Sequence, residues 1–216
     1  MNSTLLLEDT LRRHPALVPL RDVISRAAQI ICDCHRAGGK VLVCGNGGSA
    51  ADAEHIVGEL VKEFKLCRAL PAADVARLEA VNPALIGKLQ CGVAAISLVS
   101  QTSLTSAVAN DTDASMTFAQ QVYAYARPGD VVWGLSTSGN SRNVVHALQV
   151  ARAFGLSTIG LSGQNPGAMD EYSDVLIKVC ETETYKIQEL HLPVYHAICM
   201  MVEQELFGAN ETNLTL

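Results

Sequence analysis

Two short loops of this chain carry the small, hydroxyl and amide residues that suit the binding of an anion. Each follows an apolar run and precedes a helical pattern, and they read Gly45-Asn46-Gly47-Gly48-Ser49 and Ser136-Thr137-Ser138-Gly139-Asn140-Ser141. Backbone N–H groups and the helix dipole at such a strand-to-helix junction attract negative charge. Neither loop contains the lysine of a nucleotide P-loop. The loops therefore predict a site for a sugar monophosphate and no nucleotide cofactor.

A second group of side chains is suited to metal or proton chemistry. His55 and Glu59 lie four residues apart after the first loop, and Gln188 and His196 lie eight apart near the end of the chain. On helices, each pair projects from nearly one face. Two histidines, a glutamate and a glutamine match the oxygen and nitrogen ligands of zinc or another divalent ion. A glutamate beside a histidine can equally perform acid–base chemistry without a metal, and such pairs also occur on helix surfaces without any function.

The first loop also fits the looser dinucleotide fingerprint Gly-x-Gly-x-x-Ala. That fingerprint requires an acidic residue at the end of the next strand, about 20 residues further on. The corresponding region, residues 64–68, offers neither a strand nor a carboxylate, which argues against a Rossmann oxidoreductase. Lys62, Lys65 and Arg68 form a small basic group there, which we interpret as a solvated face, with steering of a phosphorylated substrate as the alternative.

The elements that must position these residues alternate along the chain. Apolar runs predict strands at 40–45, 93–98, 131–135, 157–161 and 175–179, and helical periodicity lies between them and in a long segment at 184–207. This order predicts an α/β fold with a doubly wound, five-stranded parallel sheet and helices on both faces. Ligands of such sheets bind beyond the carboxyl ends of the strands, where both loops lie.

Length and composition limit the alternatives. We expect residues 1–216 to form one domain, with an N-terminal helix at about 19–38, an irregular stretch at about 66–92 and a frayed tail at 208–216. The net charge of −6 argues against non-specific binding to nucleic acid or to an anionic membrane. No signal peptide or membrane-spanning run is apparent. Seven cysteines without a regular framework predict reduced thiols in a cytoplasmic protein, and the apolar faces of the first and last predicted helices predict an oligomer.

With these residues in view, the chain resembles the sugar isomerase (SIS) family, and within it the phosphoheptose isomerases. The resemblance extends from about residue 20 to residue 207. Its segments are the first loop continued through Ala50-Ala51-Asp52-Ala53-Glu54-His55, then Glu59, Ala109-Asn110-Asp111, the second loop, and Ile187-Gln188-Glu189-Leu190-His191 with His196. The joint presence of His55, Glu59, Gln188 and His196 is its most specific part.

The resemblance implies a flavodoxin-like three-layer α/β/α sandwich, a homotetramer with sites near subunit interfaces, and a phosphosugar substrate. The implied reaction converts sedoheptulose 7-phosphate to D-glycero-D-manno-heptose 7-phosphate through an enediolate, with Glu59 as the base and His196 moving protons among the oxygens or helping to open the ring. One zinc ion per subunit is implied on His55, Glu59, Gln188 and His196. The implied substrate-binding residues are Asn46, Gly47, Gly48, Ser49, Glu59, Asn110, Asp111, Ser136, Thr137, Ser138, Ser141 and Gln188.

Two departures from the family pattern bear on the substrate. The stretch 66–92 is longer than the link that members of this family commonly have, and Gln101 stands where they commonly have aspartate. The alternatives are an isomerase of another phosphosugar, a non-catalytic relative that binds a replication initiator protein, and a sugar-phosphate sensor. The presence of both Glu59 and His196 favours an enzyme over the second, and the lack of length for a DNA-binding domain argues against the third.

Overall fold

A computed structural model describes residues 3–208 of the chain. Over this range five strands form one parallel sheet in the order β2-β1-β3-β4-β5. The strands are β1 (Val41–Cys44), β2 (Ala95–Ser97), β3 (Val131–Leu135), β4 (Ser157–Gly163) and β5 (Val175–Val179). The order places β1 and β3, the two strands that lead into the predicted loops, side by side. The predicted parallel α/β sheet is confirmed.

Helices cover both faces of this sheet, as the doubly wound prediction requires. They are α1 (Ser3–Arg13), α2 (Arg21–Arg36), α3 (Gly48–Val61), α4 (Ala72–Val81), α5 (Thr102–Val108), α6 (Thr117–Tyr125), α7 (Arg142–Ala153), α8 (Met169–Tyr172) and α9 (Thr184–Phe207). Alternate strand residues point to opposite faces. Val43 and Trp133 join the apolar core under α2, α3 and α9, whereas Leu42 and Val132 join the core under α6 and α7.

The N-terminal helix α1 is an element that the sequence analysis did not predict. Its apolar face is narrow, with Leu7 and Leu11 four residues apart and both 2% exposed. An isolated helix of this length is marginal in water. The contact of α1 with α9 supplies the stability that local periodicity does not reveal. The helix predicted at about 19–38 appears as α2, between Arg21 and Arg36.

Residues 69–90 form an excursion from the sheet edge. The Cys91 N–H donates to the Arg68 carbonyl over 2.8 Å and closes the excursion at its base. Between these residues lies α4, in which none of the described residues is buried. The chain then rejoins the core through Val93, whose N–H donates to the Leu60 carbonyl over 2.9 Å. Strand β2 begins after this excursion at Ala95, two residues later than predicted.

A buried ion pair fixes the chain between α3 and this excursion. Arg68 is 2% exposed and Glu203 of α9 is 1% exposed, and Arg68 Nε donates to Glu203 Oε1 over 2.8 Å. Two further guanidinium nitrogens donate to the carbonyls of Leu60 and Glu59, over 2.7 and 2.8 Å, at the end of α3. The Glu203 carboxylate also accepts the backbone N–H groups of residues 64–66. We refer to this arrangement as the Arg68–Glu203 clamp.

The clamp corrects one prediction. Lys62 and Lys65 are exposed, but Arg68 is not part of a solvated basic face, because it is buried and each of its guanidinium nitrogens donates inside the protein. Sequence spacing alone could not reveal this partner, which lies 135 residues further along the chain.

Three further observations complete the fold. Each of the seven cysteines lies within the described residues and is free. Among residues 3–208 there is no helix with the length and apolarity needed to cross a membrane. The frayed tail predicted at 208–216 falls outside the described residues from 209 onward, while Gly208 caps the end of α9.

The clamp makes a prediction about stability. Arg68→Met leaves the Glu203 carboxylate buried without its counter-charge, and breaking a buried ion pair in this way costs about 3–5 kcal/mol. We expect that loss in the free energy of unfolding, measured by urea denaturation at one fixed protein concentration. Arg77→Met is the matched control, because the Arg77 side chain is 80% exposed beside Asp74, and exposed pairs contribute at most about 1 kcal/mol. Equal losses in the two variants would contradict a stabilising role for the clamp.

Candidate functional site

The two predicted loops lie at the carboxyl ends of adjacent strands, and the first is bonded to the helix that follows the second. Asn46 in the first loop and Asn143 in the first turn of α7 exchange two side-chain hydrogen bonds, each of 2.9 Å. Asn143 is a residue that the sequence analysis did not select, and its position beside the second loop is the signal that was available. Its amide holds the loops in a fixed relation across the β1–β3 edge.

Glycines allow the first loop to turn tightly into α3. Gly47 has φ +57°, a conformation that favours glycine, and it caps the helix. A side chain on Gly48 would overlap the amide of Gln188, which therefore lies against this loop from α9. Ser49 is buried in the first turn of α3. The loop thus gathers Gln188 and the start of α3 at one place.

The second loop concentrates hydroxyl groups at the N-terminus of α7. Ser136 Oγ lies 2.8 Å from Ser141 Oγ and 3.5 Å from Ser138 Oγ, and the Ser141 N–H donates to Ser136 Oγ over 3.3 Å. Asn140 ties the loop to the following segment, because its side chain accepts the Ala168 N–H over 2.9 Å. Converging hydroxyls at the start of a twelve-residue helix are chemically suited to an anion.

The structure brings His55, Glu59 and His196 together. His55 Nε2 lies 3.0 Å from Glu59 Oε1 and 3.4 Å from His196 Nε2. One donor atom from each residue lies within 4.8 Å of the others. The His55 side chain is 43% exposed and that of Glu59 is 17% exposed, so the group opens to solvent on one side. We call these three residues the His–Glu cluster.

Two residues behind the cluster were not selected from the sequence. The Tyr195 hydroxyl lies 3.0 Å from His55 Nδ1 and donates to Asp52 Oδ1 over 3.2 Å. Burial raises the pKa of Tyr195 well above its usual range, so the phenol keeps its proton. Burial also raises the pKa of Asp52. Asp52 precedes His55 by three residues on the same helix face, which was the only signal in the sequence.

The cluster is chemically suited to a divalent cation. Nitrogens bound to a tetrahedral zinc ion at about 2.0–2.1 Å lie about 3.3–3.4 Å apart, and the two Nε2 atoms here are separated by 3.4 Å. A carboxylate oxygen beside two imidazoles completes a mixed oxygen and nitrogen set. Burial, followed by the nearby His55, lowers the pKa of His196, which keeps its imidazole in the neutral form that binds metals.

The remaining predicted residues are placed differently. No hydrogen bond among residues 3–208 joins Gln188 to the His–Glu cluster; Gln188 lies against Gly48 at the start of α3, the helix that carries His55 and Glu59. Asn110 and Asp111 are exposed on the π-helical turn Ala109–Asp113 and bond to each other over 2.7 Å. Within the described range no hydrogen bond connects that pair to either loop. Gln101 lies at the start of α5, where its carbonyl accepts the Thr105 N–H.

A cleft of about 290 Å³ opens beside His196. Its walls come from the end of α1, the segment after α3, and the outer face of α9. The lining residues are Arg13, His14, Phe64, Glu189, Leu192, Pro193, His196 and Met200. The cleft therefore offers space next to the cluster, with both charged and apolar walls.

Comparison with known proteins identifies a family and similar structures. A family model described as SIS domain matches residues 14–89 and 79–163. A phosphoheptose isomerase of Synechocystis sp. is 41% identical over 192 residues, which cover 88% of this chain and 87% of the relative. The structure of a phosphoheptose isomerase from Neisseria gonorrhoeae is 32% identical, with a TM-score of 0.69 over 92% of this chain and 93% of its own. One from Francisella tularensis is 28% identical, with a TM-score of 0.74 over 91% and 94%.

The cluster predicts that cation affinity depends on both histidines. Loss of a residue that only hydrogen-bonds to a metal ligand typically weakens metal binding about 10- to 100-fold. We expect His55→Gln and His196→Gln, which remove the ligands themselves, each to weaken Zn²⁺ binding by at least that factor. Competition with a chromophoric chelator, on protein first stripped of metal, measures the dissociation constant. His146→Gln is the control, because His146 lies on α7, contacts the Ser115 carbonyl and is outside the cluster. Unchanged affinity in both cluster variants would show that Zn²⁺ binds elsewhere.

Proposed function

The chain belongs to the SIS domain family, and from that premise we propose that it is a phosphoheptose isomerase. The proposed reaction interconverts sedoheptulose 7-phosphate and D-glycero-D-manno-heptose 7-phosphate. The observation that carries the proposal is the convergence of His55, Glu59 and His196 on helices that also meet the first loop. That arrangement supplies the carboxylate and the imidazole that an aldose–ketose isomerisation needs, and the second loop, on the neighbouring strand, supplies donors for a phosphate.

The second loop is proposed to hold the phosphate. Ser136, Thr137, Ser138 and Ser141 surround the N-terminus of α7, where hydroxyl and backbone donors meet the positive end of the helix dipole. The loop contains no lysine or arginine, so we propose that it orients the phosphate through hydrogen bonds alone. A fixed phosphate restricts the position of the reacting carbons, which converts part of the binding energy into orientation.

The first loop is proposed to bind the oxygens of the sugar. Its proposed contacts come from Asn46, Gly47, Gly48 and Ser49, and Gly48 lies against Gln188 at the junction of α3 and α9. We also propose substrate contacts for Asn110 and Asp111. Their exposed position on one subunit supports a site that is completed only when subunits associate, as the family resemblance implies.

Two protons must move in the reaction, and two residues are proposed to move them. Glu59 takes the proton from the carbon beside the ketose carbonyl, which leaves an enediolate, and returns it to the former carbonyl carbon. His196 carries the second proton from the hydroxyl oxygen to the former carbonyl oxygen. A neutral imidazole can both accept and donate a proton, and burial lowers the pKa of His196 toward that state.

A zinc ion is proposed as the cofactor, one per subunit, held by His55, Glu59, Gln188 and His196. When bound, it would stabilise negative charge on the substrate oxygens. A carboxylate that binds a metal tightly is a weaker base, so the ligand and base roles of Glu59 compete. Comparing turnover with and without the metal separates these roles.

We further propose a homotetramer that acts in the cytoplasm. Leu5, Val18 and Leu192 are 58%, 46% and 41% exposed on α1, the turn before α2, and α9, and burial of such side chains between subunits would be favourable. Seven free thiols are typical of a reducing compartment. Residues 66–92 are proposed as an insertion in a single SIS domain. Its exposed helix α4 supports a position outside the core.

The proposed activity predicts an aldose product and a dependence on Glu59. Wild-type protein incubated with sedoheptulose 7-phosphate should produce the C1 aldose signal in an NMR assay. We expect Glu59→Gln to lower turnover by at least about 10²- to 10⁴-fold, the usual contribution of a general base. Glu171→Gln changes an exposed carboxylate on α8 outside the His–Glu cluster, so it should retain wild-type turnover and serves as the control.

The assay is run after chelation, with and without added Zn²⁺, and light scattering monitors assembly. Near wild-type turnover by Glu59→Gln would remove Glu59 as the base. No product from folded wild-type protein in either arm would redirect the search to another phosphosugar or to a binding role.

The second loop makes a separate kinetic prediction. Ser138→Ala combined with Ser141→Ala removes hydroxyls that contact the phosphate before and during the reaction, so KM should rise with little change in kcat. Steady-state kinetics on the proposed substrate measure both constants. Ser157→Ala, in β4 and outside the second loop, is a control for the loss of a hydroxyl. An unchanged KM in the double variant would contradict the assignment of the phosphate to this loop.

A further inference from the structure

A polar chain leads from the His–Glu cluster into the protein interior. It consists of His55, Tyr195 and Asp52, with Tyr195 between the other two. Tyr195 is 1% exposed, although its neighbour in the sequence, His196, faces the cleft. The tyrosine ring packs edge-on against both imidazoles, with centroids 5.4 Å from His55 and 5.0 Å from His196. These contacts fix the ring, so the direction of its hydroxyl is fixed as well.

The number of available protons determines the direction of each hydrogen bond between Asp52, Tyr195 and His55. A tyrosine hydroxyl has one proton to donate, and here it donates to Asp52 Oδ1. Its oxygen must then accept the hydrogen bond from His55 Nδ1, over 3.0 Å. His55 therefore carries a proton on Nδ1. Its Nε2 points into the cluster, 3.0 Å from Glu59 Oε1, and is the nitrogen left to bind a cation there. A neutral imidazole in the opposite tautomer would present a hydrogen there instead.

Asp52 is placed to orient Tyr195. Its second carboxylate oxygen is buried and has no hydrogen-bond partner among the described residues. The bond to the Tyr195 hydroxyl is thus the one side-chain hydrogen bond of this carboxylate within residues 3–208. A half-buried carboxylate with a single donor draws the hydroxyl proton toward itself and leaves the phenol oxygen free to accept from His55.

We propose that Tyr195, oriented by Asp52, is a positioning residue that keeps His55 in the Nδ1-protonated tautomer and thereby directs its Nε2 lone pair to a divalent cation. The inference rests on the metal site of the proposed function, and it deepens that site by naming the residues that set its affinity. Hydrogen bonds to the non-ligating nitrogen of a histidine fix both its tautomer and its orientation, and their loss typically costs 10- to 100-fold in metal affinity.

The test removes the hydroxyl and leaves the ring. Tyr195→Phe preserves the edge-on contacts, so it isolates the hydrogen bond from the packing. Long-range ¹H–¹⁵N NMR of metal-free protein labelled at histidine reports which His55 nitrogen carries the proton. We expect Nδ1 of His55 to carry a proton in wild type, and a shift toward the Nε2-protonated tautomer in Tyr195→Phe, in which Glu59 Oε1 is the acceptor that remains. Zn²⁺ affinity, measured by chelator competition, should fall by about 10- to 100-fold.

Two further variants keep the result interpretable. Asp52→Asn retains an acceptor for the hydroxyl, so its loss of Zn²⁺ affinity should be smaller than that of Tyr195→Phe. Tyr185→Phe removes a hydroxyl from a 57% exposed tyrosine on the same helix and should match wild type in both measurements. Equal tautomer populations and Zn²⁺ affinities in wild type and Tyr195→Phe would overturn the role of Tyr195 alone. An absence of Zn²⁺ binding by the wild-type chain would overturn it together with the metal part of the proposed function.

Discussion

The geometry of the site depends on the buried ion pair between Arg68 and Glu203. One guanidinium connects the last carbonyls of α3 to the interior of α9, while the carboxylate collects the backbone N–H groups of the segment that leaves α3. Glu59 is therefore held by its own main chain to the helix that carries His196. Two helices far apart in sequence act as one rigid support. Burying a charge pair is costly unless nearly every donor and acceptor is satisfied, and here the contacts are numerous enough to meet that condition.

The opposite end of α3 is also held by contacts with neighbouring elements. The helix begins at a loop that is bonded to α7 through Asn46 and Asn143, and it contacts α9 through Gly48 and Gln188. Both ends of α3 are thus tied to neighbouring elements. Three donor atoms from two helices consequently meet within 4.8 Å, a precision that flexible surface side chains do not reach without such support.

Local patterns predicted the sheet well because buried parallel strands are continuous apolar runs bounded by turn residues. The strands at 131–135 and 175–179 and the helix at 184–207 have the predicted bounds. The pairing of His55 with Glu59 follows from helix periodicity. The meeting of that pair with His196, and the burial of Arg68, require knowledge of tertiary contacts across more than 130 residues. Helix α1 escaped prediction for a related reason, since its stability comes from α9 rather than from its own sequence.

The excursion at 69–90 has a different kind of consequence. Its two ends are already bonded at the Arg68 carbonyl and the Cys91 N–H, and its helix contributes nothing to the core. Changing the length of a segment whose ends are fixed costs little, about 0.6 kcal/mol for each doubling. This position therefore tolerates insertion, deletion or replacement of a surface segment, in evolution or by design, because the strands and helices on either side keep their places.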